Sequence, residues 1–585
     1  MRGYIGRYEG DNTKILESFN NLLNYTNTNL IACDTETVSI TNKTIKCIGI
    51  ALPDNDNFAF SIDEPTLPWS LLYIPTITKI WHNAPFDLSR EALGRYSVDF
   101  VNIEDTAMIM RLLNLEVELS LATKLYLDKY YHTQSVKELL KKYNAKDMDG
   151  LPLEIVLEKS ARDARGCLEL YKKFYPSVDK QYYQIKMHSE SMLMRQSYRG
   201  IKLDTNLNEK FCVELTNERN KYKSICEDKL GFNPLSSQQV VQAFSEIGIS
   251  LPFSWGKPDT SEEALLTIVN PTIHEIHPYS KLILKVRKFN KLLSTYAEKF
   301  RGLSRVYTHL YLDAATGRST SRDFNIQNIP TGRRPGDIVP KAVRCTIHKN
   351  DFVVNDKCSQ CGNMRNQFLP DLPELTCIDL GQIELRVFAH LAQDQKLINV
   401  LNDPTQDLHT KTQIASKAKD RVQAKNVNFG GLFTGFSFDS IPTVAKGANI
   451  TNYDLVRNVF MYWRNEFTNS VKYCDYLKEQ ARKTFTVRTL YGRELQIDLS
   501  NKSLTNKHID NCAINWPVQG SAFEIFERIM IELENIIPKE YFAWEVHDEQ
   551  VLDGHWDLSK SQIDTLTHIS PLYTPFKLEY LKYWR

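Results

Sequence analysis

A multidomain chain joining an α/β domain to α+β architecture is what the 585 residues predict, and three observations carry that prediction. Branched and aromatic runs crowd the stretch from Asn29 to Ile62. A charged, helical region follows from Tyr183 to Phe300, and two apolar strand-and-turn segments, around Asp379 and Asp548, each present a carboxylate. The length allows roughly three or four domains with cores of their own.

Hydrophobic residues at 42% and charged residues at 24% are ordinary soluble values, and a net charge of +1 gives no hint of a nucleic-acid partner. No run of apolar residues is long enough to span a membrane. The opening MRGYIGRYEGDN lacks an apolar signal core. Eleven cysteines, odd in number and mostly scattered, argue against a disulfide framework and for a reducing, cytoplasmic setting.

The first domain reads as strands NLIACDTET, TIKCIGIAL and DNFAFSI. Asp34 and Glu36 end the first of them, and their period of two puts both on one face. Asp87 is expected to begin a helix in IWHNAPFDLSREAL, and Asp163 lies inside one in SARDARGCLELYKKF. Four carboxylates from one strand and two helices suit a two-metal site that activates water against a phosphodiester. Each alone fits a cap or a surface charge equally well.

From Tyr183 to Phe300 the helical pattern breaks at GFNPLSSQQV and LPFSWGKPDTSEEAL, and the Ser236 region is expected to cap a new helix. HLYLDAATGRSTSRDFNIQNIP then places Arg318, Asn325, Gln327 and Asn328 among small polar residues. Amides can read minor-groove acceptors, where the base pairs look nearly alike, or they can cap their own turns. In CTIHKNDFVVNDKCSQCGN, Cys345, His348, Cys358 and Cys361 have the spacing of a structural zinc knuckle, the alternative being unligated thiols in a loop.

TCIDLGQIELRVFAHLAQD reads as a strand ending near Asp379 and an amphipathic helix opening near Ile383. YFAWEVHDEQVL reads as strand, tight turn and strand, with His547, Asp548 and Glu549 at the turn. An aspartate in so apolar a segment is costly without a cation. Two on adjacent strands could share two Mg²⁺ ions roughly 3.5 to 4 Å apart.

Between them, KTQIASKAKDRVQAK gives a basic helix face, and Arg421, Lys425 and Phe429 recur every four residues along one side. Cations followed by a ring match a nucleoside triphosphate, and the alternative is a basic surface helix with Phe429 in the core. Gly430 and Gly431 cost about 1 kcal/mol each in a helix unless something must approach the backbone closely.

These pieces resemble the A, B and C motifs of family A DNA polymerases: Asp379 through Arg386, Arg421 through Phe433, and His547-Asp548-Glu549. The resemblance implies a right-hand polymerase in which Asp379 and Asp548 bind catalytic Mg²⁺ and Glu549 belongs to the catalytic set. Arg421 and Lys425 would hold the triphosphate, with Phe429, Phe433, Gln382 and His409 around the nucleotide. Glu384 would be the gate that crowds a ribose 2′-hydroxyl, and Phe429 implies discrimination against dideoxynucleotides. Gly381, Phe433 and Thr434 depart from the usual serine, tyrosine and glycine.

The amino-terminal carboxylates resemble the ribonuclease H-like DEDD exonuclease superfamily, which implies Mg²⁺ at Asp34, Glu36, Asp87 and Asp163 and proofreading in the 3′ to 5′ direction. Lys159 stands where that family usually has tyrosine. By the same resemblance Arg318, Asn325, Gln327, Asn328, Asn515, Gln519 and His547 are expected to contact DNA. Arg493 in TLYGRELQI, also grouped with the DNA contacts, would help fix the fingers to the palm.

The implied layout is an exonuclease at 1–182, thumb at 183–300, first part of the palm at 301–395 with the Cys/His insert at 345–361, fingers at 396–485 and second part of the palm at 486–585. No 5′ nuclease region is expected before Leu30, which favours a phage or other mobile-element replicase. Expected partners are a primed DNA template and deoxynucleoside triphosphates, with helicase, primase, single-strand binding or processivity proteins, and no membrane. The rival reading is a DEDD exonuclease whose second half is a non-catalytic DNA-binding scaffold.

Overall fold

The computed structural model describes residues 4–7, 29–39, 41–53, 55–61, 74–93, 102–254, 256–269, 276–330, 353–354, 357–358, 364–448, 450, 452–498 and 505–584. The amino-terminal unit is a six-stranded sheet of β1 (Tyr4–Arg7), β2 (Leu30–Thr37), β3 (Ile45–Leu52), β4 (Asn55–Ser61), β5 (Thr78–Trp81) and β6 (Ile103–Asp105). Their order is β1-β4-β3-β2-β5-β6. The branched runs expected as strands form β2, β3 and β4, paired antiparallel in sequence, while β5 and β6 add parallel.

Helix α1 (Leu153–Phe174) crosses β2 and β3 and buries Ala164 and Leu168 in the core shared with Ile31, Ile48, Ile50 and Trp81. Gly49 permits that approach. A Cβ there would lie 2.3 Å from the Ser160 carbonyl oxygen. With the helix this close, the Ser160 hydroxyl donates to the Asp34 carbonyl at 3.2 Å.

Helix α2 (Lys180–Arg199), capped by Asp179, ties this unit to the rest. The Asp105 amide on β6 donates to the Tyr183 hydroxyl at 3.0 Å, and the neighbouring Tyr182 hydroxyl donates to Glu524 at 2.5 Å. Lys186, 2% exposed, pairs with the equally buried Glu527 at 2.5 Å. Beyond it α3 (Thr205–Ser224) and α5 (Pro278–Leu292) pack side by side, with Tyr222 stacked on Phe289. Helix α4 (Ser237–Glu246), capped by Ser236 as the sequence suggested, joins a separate small core of Phe232, Val240, Phe244, Leu265 and Ile283.

The second sheet is antiparallel: β7 (Leu375–Leu380), β8 (Phe542–Val546), β9 (Glu549–Asp553) and β10 (Phe576–Leu581), in the order β8-β9-β7-β10. Asp379 on β7 stands opposite Glu549 on β9. Helix α6 (Ile383–Leu391) follows β7, and α7 (Leu408–Ser416), α8 (Arg421–Thr434), α9 (Tyr453–Glu466) and α10 (Thr468–Thr484) form the helical lobe. The 29-residue helix α11 (Asn506–Glu534) packs against α2, α6, α8 and α10.

Two local expectations change. Asp87 closes a one-turn helix, Ala84–Asp87, because Pro85 sets its first turn. Gly430 and Gly431 are explained by the protein's own packing: added Cβ atoms would meet Val444 at 2.8 Å and the Phe436 ring at 2.5 Å. They therefore say nothing about a ligand.

Cys345, His348 and Cys361 lie outside the described residues. The backbone of Cys358 falls in a hairpin of Val353–Val354 with Lys357–Cys358. Among the described residues the cysteines form no disulfide, and no helix is long and apolar enough to cross a membrane.

Candidate active sites

Strand β7 ends by exposing Asp379 while its neighbours Cys377, Ile378 and Leu380 are buried. Asp548 reaches the same place from the β8–β9 turn, where His547 adopts φ +60°. The Leu380 amide donates to the Asp548 carbonyl at 3.1 Å and fastens the turn to β7. Burial first, and then the nearby Asp379 and Glu384, push the Asp548 carboxyl up to about 7. Crowded like charges of this kind fit a cation.

Glu549 is held differently. Its carboxylate accepts the Trp584 indole N–H at 2.7 Å, and burial raises it. Glu384 pairs with Arg318, so the expected gate has a clamp.

Glu545, absent from the sequence candidates, is 3% exposed and pushed up to about 8 by burial. It accepts the Ser319 hydroxyl, and Ser319 in turn accepts the Gln327 amide at 2.9 Å. The signal was available as a lone acid in the apolar strand FAWEV.

On the helical lobe, Arg421 and Lys425 are exposed along α8, Arg421 making a two-pronged pair with Asp407 at 3.0 and 2.7 Å. The Lys425 ammonium lies 5.8 Å from the Phe429 ring centre. Phe429 is half-buried between His409 and Phe433, with ring centres 5.9 and 6.1 Å away. Burial, then the positive field of Arg421, lowers His409 to about 4, and its ring accepts or shares the Asn428 amide at 3.0 Å. His409 is thus a neutral wall behind Phe429 at neutral pH. Gln382 occupies the cap position just before α6 at φ +56°.

The expected DNA contacts divide by environment. Asn325 caps its own turn by accepting the Asn328 amide at 3.1 Å, and Gln327 is buried against Ser319. Asn328 and His547 are exposed, while Asn515 and Gln519 are half-buried on α11. Asn515 Oδ1 is buried without a hydrogen-bond partner. The Arg493 guanidinium lies so close to Gly317 that a Cβ there would fall 2.0 Å from Nη1. Glu524 accepts hydrogen bonds from Tyr182 and, at 2.8 Å, from Thr489.

The third group is the amino-terminal carboxylates. Asp34, Glu36 and Asp163 bring ligand oxygens within 4.8 Å of one another. Asp163 Oδ1 is buried without a hydrogen-bond partner, which fits a metal. Asp87 stands beside them but turns one oxygen to Thr35, accepting its amide at 3.1 Å and its hydroxyl at 2.5 Å. Burial, partly offset by Lys159, pushes Glu36 up to about 7; burial also pushes Asp87 up to about 7, against the Thr35 bonds. Lys159 lies inside the group, 2.7 Å from Glu36 and paired with Asp163. Burial opposes its charge, but Asp163, Glu36 and Asp34 outweigh that and hold the ammonium well above the ordinary lysine range.

Comparison with known proteins gives two family matches: DNA polymerase family A over residues 202–569, and 3′-5′ exonuclease over residues 11–179. DNA polymerase I of Pseudomonas aeruginosa is 25% identical over 593 residues, spanning 90% of this chain and 60% of that protein. The thermostable DNA polymerase I of Thermus filiformis is 27% identical over 454 residues, spanning 72% of this chain and 50% of that protein. The chain therefore matches about half to three fifths of these relatives' length. A solved structure described as the POL domain of Pol1 from M. smegmatis, in complex with DNA primer-template and dNTP, superposes with a TM-score of 0.70 at 19% identity. It covers 100% of this chain and 99% of its own, and the likeness is one of fold.

Proposed function

The chain belongs to DNA polymerase family A, and from that premise we propose that it extends a primer on a DNA template and trims the primer 3′ end with its exonuclease domain. The observation that carries the reading is Asp379 and Asp548 fastened side by side, with Glu384 and Arg318 next to them.

Asp379 and Asp548 would hold the Mg²⁺ ions, and Asp34, Glu36, Asp87 and Asp163 those of the exonuclease. Such ions, when bound, favour the ionised nucleophile and neutralise charge at phosphorus and on the leaving group. Arg421 and Lys425 supply positive charge to the triphosphate and the departing pyrophosphate, and Phe429 offers a ring to the incoming base. Glu384, steadied by Arg318, narrows the space at the sugar. Gln327, held by Ser319 and Glu545, and the exposed Asn328 meet the duplex.

The domain layout at 1–182, 183–300, 301–395, 396–485 and 486–585 belongs to the proposal. Helix α2 packs on α11 and β8, so its residues would move with the palm. The Cys345, His348, Cys358 and Cys361 set is proposed as a zinc staple, and metal analysis of the untagged protein tests it, with zinc near zero in folded protein ending that part. We place the work in the cytoplasm, in replication of a phage or other mobile element alongside helicase, primase, single-strand binding and processivity proteins. The genomic neighbourhood tests this: capsid, integrase or primase genes support it, and housekeeping surroundings overturn it.

The deciding experiment is extension of a labelled, primed template with Mg²⁺ and four deoxynucleotides, comparing native chain with Asp548→Ala. Extension by the first alone supports the proposal. Shortening without extension by both would leave an exonuclease with a DNA-binding scaffold.

A further inference from the structure

We propose that the Lys159 ammonium occupies one of the two cation positions of the exonuclease site, so that the site takes a single divalent metal. The inference rests on the metal-dependent exonuclease reading of these carboxylates and narrows it.

Three observations support it. Lys159 is four residues before Asp163 on α1, so helix geometry delivers its ammonium to that carboxylate. From there it also reaches Glu36 Oε1 at 2.7 Å, and at 8% exposure it has been withdrawn from water to do so. It thus bridges two of the three residues that would hold a metal, one from the sheet and one from the helix.

Charge gives the second argument. Asp34, Glu36, Asp87 and Asp163, all ionised, leave three negative charges with Lys159, so one divalent cation brings the site to minus one and a second would turn it positive. A second cation would share Glu36 and Asp163 with a fixed positive charge, and repulsion between close cations in a buried site is strong.

The remaining ligands are the third. Asp163 Oδ1 is buried without a hydrogen-bond partner, and Asp34 Oδ2 has only a long 3.4 Å contact from the Ser160 hydroxyl. Asp87 gives Oδ1 to the amide and hydroxyl of Thr35. Asp163 Oδ1 and Asp34 Oδ2, from the helix and the strand, are the oxygens that Lys159 leaves open to an ion. Lys159 also lines a cavity of about 300 Å³ with His132, Lys142, Tyr143, Glu158 and Arg162.

The test counts Mn²⁺ by electron paramagnetic resonance of the free ion, on the full chain carrying Asp379→Asn and Asp548→Asn to silence the polymerase site. The exonuclease contribution is the number of ions lost when Asp34→Ala and Asp163→Ala are added. One ion with Lys159 in place and two with Lys159→Ala is the expected result. Lys159→Gln, closer in shape, should also give two and covers a folding failure of the alanine variant. Two ions in the Lys159 protein, or one ion in every variant, overturns the inference while leaving the exonuclease reading standing. Loss of no ion when the carboxylates are removed overturns both.

Discussion

The Leu380 amide and the Asp548 carbonyl, 3.1 Å apart, lock the turn between β8 and β9 onto the strand that ends in Asp379. The two aspartates are positioned by backbone, so their side chains can be replaced with little cost to the fold. Asp548→Asn should therefore keep its melting temperature and lose primer extension by about 10³-fold, equivalent to about 4 kcal/mol of transition-state stabilisation. Trimming of a single-stranded primer by the same variant should be unchanged. Parallel loss of both activities would show that the turn, and not the metal site, had been damaged.

Glu384 and Arg318 act as a pair in this arrangement. Glu384→Ala should raise the ratio of ribonucleotide to deoxynucleotide kcat/KM by about 10²-fold, close to 3 kcal/mol of lost discrimination. Arg318→Ala should raise the same ratio by a smaller factor, because the gate remains but is no longer held. Single-nucleotide insertion kinetics with both sugars decide the matter, and an unchanged ratio in Glu384→Ala would remove it from the sugar pocket.

Glu545 sets a pH dependence. Its carboxyl stands near 8 in the fold against 4.5 ordinarily, because burial raises it. The stability it contributes is full below about 4.5 and is lost as pH rises through about 8. Glu545→Gln retains an acceptor for Ser319 and cannot ionise. Native and variant proteins should melt alike near pH 4.5, with the variant gaining up to pH 8 by an amount on the order of 2 to 4 kcal/mol. Melting curves from pH 4.5 to 9 that stay parallel would mean that Glu545 does not titrate in this window.

Gly49 controls the distance between sheet and helix at the exonuclease carboxylates. An added Cβ would overlap the Ser160 carbonyl at 2.3 Å, so Gly49→Ala should push α1 outward and separate Asp163 from Asp34. A displacement of about 1 Å can cost about 10²-fold in rate. Exonuclease activity should fall by that order while primer extension stays within about twofold, and equal activities in both assays would show that the helix had re-seated without moving Asp163.

Periodicity explains what could be read from the chain alone. Asp34 and Glu36 share a face because strands repeat every two residues, and Arg421, Lys425 and Phe429 align because helices repeat near every four. Contacts made by distant segments left no such trace. Arg421 meets Asp407 fourteen positions away, and Glu545 meets Ser319 across 226. Gly430 and Gly431 suggested room for a ligand, and the room is filled by Val444, Phe436 and Phe460 from the segments that follow. Lys159 was visible as a departure from pattern. Its place between Glu36 and Asp163 depends on how closely α1 sits on β2.

Tyr182 and Tyr183 are adjacent in sequence yet anchor opposite ways, one to Glu524 and the other to Asp105. The two anchors are separable: Tyr182→Phe would release only the long helix α11, and Tyr183→Phe only the edge strand β6, so each side of the joint can be loosened without touching the other.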